Sequence, residues 1–217
     1  MNYTWLLDAG HGGVDSRGVY TTAPAKMYTF LDGFTIMEGV INRGITKFLE
    51  AILLEYNIAY RLLHDEVLDL SLTKRINTAN SIHKKLANCI VLSIHSNSAS
   101  AQNKGEGSNA TGLEIYTSRG KDKSDIVAEP LGKLYQEDFP EFRFRSDKTD
   151  GDLDKEAGFA MVGGNKKIPL NCPSVLVENL FFDNRKEAEL LITEEFQQRI
   201  AGTLGRWIYL IEQTKPI

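Results

Sequence analysis

The segment Tyr3-Thr4-Trp5-Leu6-Leu7-Asp8-Ala9-Gly10-His11-Gly12-Gly13 passes directly from an apolar run into a glycine-rich polar loop. Tyr3 to Leu7 reads as a buried strand, and the loop that follows a strand lies at its carboxyl edge. The same transition recurs twice. Cys89 to Ile94 runs into Ser93-Ile94-His95-Ser96-Asn97, and Ser174 to Val177 runs into Val177-Glu178-Asn179. Two imidazoles and a carboxylate are thereby expected at one sheet edge, the raw material of a metal-dependent hydrolase.

Working outward, apolar runs alternate with helical patterns, which predicts an α/β layered domain. Ile41, Ile45, Phe48, Leu49, Ile52 and Leu53 recur on one face of a helix spanning 36–56. Ile58 to Leu63 is a short strand. A second helix covers 71–86 with Ser71 as its N-cap. Leu113 to Thr117 is a further strand, separated from Cys89–Ile94 by a Ser-, Asn- and Gly-rich loop over 98–111. Residues 124–136 are helical, 138–167 are charged and unassigned, and a helical tail runs to Glu212. Asn184 and Glu187 form a capping-box-like start for that tail. No repeat or linker divides the chain, so one domain is expected.

Composition excludes several classes. With 42% hydrophobic and 25% charged residues in a chain of 217, a buried core is within reach and disorder is not the reading. The formal net charge of −4 and the absence of a basic, aromatic-interleaved run argue against nucleic acid and anionic membranes as partners. The first ten residues lack the pattern of a secretory signal peptide, and no stretch approaches 18 apolar residues. Cytoplasmic synthesis is therefore expected. Cys89 and Cys172 form no CxxC and are expected as buried free thiols.

In doubly wound sheets a helix that follows a strand begins near that strand's carboxyl edge, where ligand sites collect. Glu38 lies in the first turn of the first helix. Steps of 3, 7, 10 and 14 from it reach Ile41, Ile45, Phe48 and Ile52, so its carboxylate points inward with the apolar stripe. A buried carboxylate needs a partner, and a metal ion is one. His11, Glu38 and His95 form a candidate triad of the kind that holds catalytic zinc, which takes three protein ligands and leaves one position open. Asp15 and Asp32 are alternative third ligands. Glu178, flanked by Val175, Leu176, Val177, Leu180, Phe181 and Phe182, is the candidate general base, because desolvation raises a carboxylate pKa into the useful range. The bland readings are hydrogen-bonded structural histidines and a structural ion pair at Glu178. Of the four histidines, only His11 and His95 share the strand-end context; His64 and His83 are expected at the surface. The glycines of the first loop fit neither GxGxxG nor GxxxxGK[ST], which argues against a nucleotide site.

At these residues the chain resembles the zinc-dependent N-acetylmuramoyl-L-alanine amidases that carry their histidines in Asp-Ala-Gly-His-Gly-Gly and Ser-Ile-His-x-Asn motifs. The likeness runs in order through Leu7–Gly13, Leu72–Asn80, Leu92–Asn97, Gly112–Tyr116 and Pro173–Asn184. It implies one catalytic domain over 1–217, an open, twisted, mostly parallel sheet of about six strands with helices on both faces, and one zinc ion held by His11, Glu38 and His95. It also implies that Glu178 is catalytic in hydrolysis of the amide between N-acetylmuramic acid and L-alanine. The partners it implies are the peptidoglycan stem peptide and muramyl sugar; a monomer that acts on the wall after release is expected. A zinc peptidase acting on the wall and a catalytically silent wall-binding module are the alternatives. The spacing from His11 to Glu38 exceeds the family's, which implies an insertion over 19–35; Tyr20, Tyr28 and Phe30 in it would either contact substrate or pack the loop on itself. Glu114 is a candidate to orient an imidazole, and Arg143 and Arg145 are candidates for stem-peptide carboxylates.

Overall fold

Period-two alternation sorts the strand residues onto two faces, and those faces are covered unequally. The computed structural model describes residues 2–147 and 151–217. In chain order the strands are β1 (Thr4–Ala9), β2 (Met27–Phe30), β3 (Thr35–Met37), β4 (Tyr60–Leu62), β5 (Cys89–Asn97), β6 (Lys104–Gly105), β7 (Leu113–Thr117), β8 (Lys155–Glu156) and β9 (Ser174–Phe181). The helices are α1 (Glu38–Glu55), α2 (Leu72–Leu86), α3 (Lys123–Asp138), α4 (Arg185–Leu191) and α5 (Glu194–Thr214), with a 3₁₀ turn at Ala160–Val162. Six strands form the main sheet in the order β4-β1-β5-β9-β7-β8. All neighbours are parallel except β7 and β9, which are antiparallel.

Trp5, Leu7, Ile90, Leu92, Ile94, Val175 and Val177 face one way and bury themselves against α1, α3, α4 and α5. Leu6, Cys89 and Val91 face the other way, onto Ile76 and Ala79 of α2. The rings of Trp5 and Trp207 meet edge to face at 5.0 Å and join β1 to α5. Each indole nitrogen also finds an acceptor: Trp207 Nε1 donates to the Val127 carbonyl and Trp5 Nε1 to Glu212. Cys89 and Cys172 are free and buried, as expected.

The insertion is a hairpin, β2 with β3, extended by β6 into a second sheet of order β3-β2-β6. β6 comes from the stretch read as pure loop, where the parallel partner β2 supplies hydrogen bonds that local sequence does not encode. In the unassigned stretch the chain forms β8 and the 3₁₀ turn; residues 148–150 of it lie outside the described residues. The expected single helical tail is two helices. Thr193 caps the second by accepting from Phe196 N–H, while Asn184 caps the first. Glu187 makes no return bond to Asn184. Its carboxylate accepts instead from the Phe181 and Gly112 N–H groups and the Thr111 hydroxyl.

Candidate metal centre

The polar face of the sheet carries Asp8, Ser93, His95, Glu178 and Glu114 near the carboxyl edges of β1, β5 and β9. His95 is level with Glu178 across β5 and β9, and Glu178 is level with Glu114 across β9 and β7. Beyond β1 the chain turns through Gly10 to His11, which holds φ at +65°, a conformation uncommon outside glycine. α1 begins over this edge, so Glu38 in its first turn reaches both imidazoles. Glu38 Oε1 lies 2.9 Å from His95 Nδ1, and Glu38 Oε2 lies 3.2 Å from His11 Nε2. The two imidazole rings stand edge to face at 5.0 Å. One ligand atom from each of His11, Glu38 and His95 falls within 4.8 Å of the others, so the three form a candidate metal site. Asp15 and Asp32 stand elsewhere, bonded to Arg17 and Arg185.

The donor set fits a cation. Glu38 is 1% exposed, and among the described residues the buried His11 Nε2 and Glu38 Oε2 have no hydrogen-bond partner beyond their mutual 3.2 Å contact. Buried polar atoms of this kind are costly unless satisfied, and two nitrogens with one carboxylate oxygen suit zinc. Burial opposes ionisation of Glu38, but close contact with His11 and His95 outweighs it and holds the carboxyl well below the usual range. Burial likewise disfavours the His95 cation, yet the bond to Glu38 and the nearby negative charges raise its pKa. Glu178 has no such partner, and its Oε2 is buried and unbonded. Burial, reinforced by the charges of Glu38 and Glu114 and opposed by His95 and Lys26, pushes it up to about 8.

Two buried arginines brace the first loop. Arg75 donates to Asp8 Oδ1 at 2.5 Å and to the carbonyls of Ala9 and His11 at 2.8 Å. Arg43 donates to the His11 carbonyl at 2.8 Å and the Gly39 carbonyl at 2.9 Å. Asp8 also accepts from Ser93 at 2.7 Å, which ties β1 to β5 beneath the site. Although burial resists its charge, Arg75, His95 and Ser93 keep Asp8 below the usual carboxylate range. Arg43 and Arg75 were not read as functional from the sequence. Arg75 had a signal in the Leu72–Asn80 motif; Arg43 had none, because apart from the Gly39 carbonyl one turn back its donors meet carbonyls remote in sequence.

Several expectations are corrected. His64 is not a surface residue: its side chain is 1% exposed and Nδ1 accepts the Ala9 N–H at 3.2 Å, behind the histidine loop. Glu114 lies on β7, with the strand of Glu178 between it and the strand of His95, and it orients no imidazole. It accepts from Asn97, Tyr116, Arg145 and Lys155. Arg145 is thus committed to Glu114 and stacks over Phe181 at 5.2 Å. Tyr20, Tyr28 and Phe30 are buried, so the insertion packs on itself. The Tyr20 hydroxyl accepts the Gly39 N–H at 3.0 Å and fixes the start of α1. A cavity of about 310 Å³ lined by Asp8, His11, Leu70, Arg75 and His95 adjoins the site. A larger concavity, about 930 Å³, lies on the far helical layer beside Ile52, Leu134 and Tyr209 and holds none of this chemistry.

Residues 6–208 match the family model described as N-acetylmuramoyl-L-alanine amidase. No curated protein sequence matches the chain significantly. Among solved structures it is similar to an N-acetylmuramoyl-L-alanine amidase from Clostridium difficile 630, with TM-score 0.74 and 22% identity over 99% of this chain and 100% of that one. It is also similar to the amidase AmiC2 of Nostoc punctiforme, with TM-score 0.70 and 22% identity over 98% of both chains. The catalytic domain of CwlV from Bacillus (Paenibacillus) polymyxa var. colistinus follows at TM-score 0.67 and 22% identity over 99% of both. At these identities the likenesses carry the fold.

Proposed function

The chain belongs to the N-acetylmuramoyl-L-alanine amidase family and is a peptidoglycan amidase, and from this we propose that His11, Glu38 and His95 hold one zinc ion while Glu178 moves the proton. The observation that carries the proposal is the convergence of these three side chains in the interior, where His11 Nε2 and Glu38 Oε2 meet each other and no other hydrogen-bond partner among the described residues. When bound, zinc supplies Lewis-acid polarisation of a carbonyl, acidifies water from about 15.7 to about 7 and lends positive charge that favours ionised Glu178.

The chain's own residues do the remaining work. Glu178 takes a proton from the attacking water as its oxygen bonds to the lactyl carbonyl carbon. It returns that proton to the amide nitrogen as the carbon–nitrogen bond breaks, and the stem peptide departs with a free L-alanine amine. A carboxyl whose pKa is lifted toward neutrality suits both halves of that transfer. Arg43 and Arg75 hold the His11 loop in place by capping its carbonyls, so the imidazole does not need reordering when substrate arrives.

Residues 1–217 act on this reading as one catalytic unit and as a monomer. Its ligands are the stem peptide and the muramyl sugar. Synthesis is cytoplasmic and action on the wall follows release. Among the described residues no helix is long and apolar enough to cross a membrane.

Metal quantification on the purified protein, with digestion of purified wall before and after chelation and zinc readdition, tests the reading. One zinc per chain and new L-alanine amino termini with intact glycan are expected; release of D-amino acids would instead identify a peptidase. Glu178→Gln should keep the metal and lose about 10²–10⁴-fold in turnover. Undiminished turnover would remove Glu178 from its role.

A further inference from the structure

A second cluster of oxygen donors lies at the other edge of the sheet. β7 runs against β9, so the carboxyl end of β7 at Thr117 sits by the start of β9, remote from His95 and Glu178. There Asp125, from the first turn of α3, meets Asp152 and Asp154 of the segment leading into β8, with one carboxylate oxygen of each within 4.8 Å of the others. Acidic clusters are common on surfaces, but this one reaches into the interior. Asp154 is 1% exposed and Thr117 is fully buried. Asp154 Oδ2 accepts from the Thr117 hydroxyl at 2.6 Å, whereas Oδ1 is buried with no hydrogen-bond partner and belongs to a side chain aimed into the cluster. Asp125 spends Oδ2 on the Asp122 N–H of its capping box, and Oδ1 lies 3.5 Å from the same Thr117 hydroxyl. Among the described residues neither Asp125 nor Asp154 forms an ion pair.

Three carboxylates and a hydroxyl, with no nitrogen or sulfur among them, form a hard donor set. Mg²⁺ demands a near-ideal octahedron, while Ca²⁺ accepts six to eight oxygens in flexible arrangements and would take water at the half-buried Asp152 side. We infer that Asp125, Asp152 and Asp154 form a binding site for Ca²⁺ that pins the segment before β8 to the start of α3 and the end of β7. The electrostatics agree with the geometry: burial, with the charges of Asp152 and Asp125 adding and Thr117 opposing, pushes the Asp154 carboxyl up to about 6. A dication would relieve both causes. The clamp also bears on the neighbourhood of Glu178, because the next residue, Lys155, reaches Glu114 at 2.8 Å.

The test uses the full chain, zinc-loaded and freed of calcium by dialysis, with CaCl₂ as the probe in isothermal titration calorimetry and in thermal melts. Saturable binding of one Ca²⁺ is expected, with a dissociation constant on the order of 10⁻⁴–10⁻³ M, the range of open extracellular sites. The melting midpoint should rise with it, and MgCl₂ should give a smaller rise. Asp154→Asn should abolish the calcium-dependent rise, and Asp152→Asn, at a half-buried position that tolerates the change, should weaken binding about tenfold or more. No saturable heat up to about 10 mM calcium, equal binding in both variants, or a response to magnesium alone would each overturn the assignment. The readouts are binding and melting, so the outcome is independent of hydrolysis at the zinc site.

Discussion

A few atoms decide the candidate metal centre at the scale of single residues. Gly10 is one: a Cβ built there would lie 2.1 Å from His95 Cε1, closer than any real contact. Gly10→Ala must push the imidazole aside. Because supporting positions around metal ligands are worth about 10–100-fold in affinity, zinc should bind weaker by that factor, measured by competition with a chromophoric chelator. Unchanged affinity together with a native circular dichroism spectrum would contradict the packing described. Asp154 makes a second prediction, concerning pH. Its folded-state pKa, about 6, lies above the ordinary 3.8, so the fold is strained where the group is ionised. The stability it contributes is therefore present at low pH and lost as pH rises from about 4 through 6. In calcium-free buffer Asp154→Asn should exceed wild type in stability at pH 7 by on the order of 1–3 kcal/mol, and the gap should close toward pH 4.5. Denaturant titrations of both proteins across this range read it directly, and a gap independent of pH would oppose it. At this scale His11, His95 and Glu178 were legible in the sequence because each follows a strand-like apolar run. His64 was misread because burial behind a loop leaves no local pattern.

At the scale of elements, the insertion is a brace for α1. Met37, the N-cap of α1, offers no side-chain bond, so the first turn depends on partners from outside the helix. One is Tyr20, whose hydroxyl accepts from Gly39 and donates to the Lys26 carbonyl. Tyr20→Phe leaves the buried Gly39 N–H unpaired, which costs about 1–3 kcal/mol, and loosens the turn that carries Glu38. Urea denaturation should show that loss, and zinc affinity should fall with it; full retention of both would show that the hairpin is dispensable. The helical stripe of α1 and the cap at Ser71 were readable from local periodicity and capping chemistry. β6 and β8, each of two residues, were not, since strands that short exist only because a neighbouring strand completes their hydrogen bonds.

Across the whole molecule, the sheet and the helical layer behind it are locked by Trp207, which is fully buried, meets Trp5 edge to face and donates to the Val127 carbonyl. Glu212, five residues on in the same helix, accepts from the backbone of Asn2 and Tyr3 and so ties α5 to the start of β1. Trp207→Ala should cost about 3–5 kcal/mol, read as a lower urea midpoint, while the opposite edge of the sheet keeps its order. A cost below about 1 kcal/mol would mean that the two layers are held elsewhere. The sequence by itself determined the alternation of strands and helices, the placement of His11, His95 and Glu178 toward one side of the sheet, and the inward aim of Glu38, because periodicity and turn chemistry are local; β5 and β9 run on through His95 and Glu178 to Asn97 and Phe181. Only the tertiary structure decided that β7 runs antiparallel, that Glu114 stands beside Glu178, that Arg43 and Arg75 brace the histidine loop, and that Asp125 meets Asp154. These are contacts between residues far apart in the chain, and their energies depend on burial and neighbouring charge that no local pattern records.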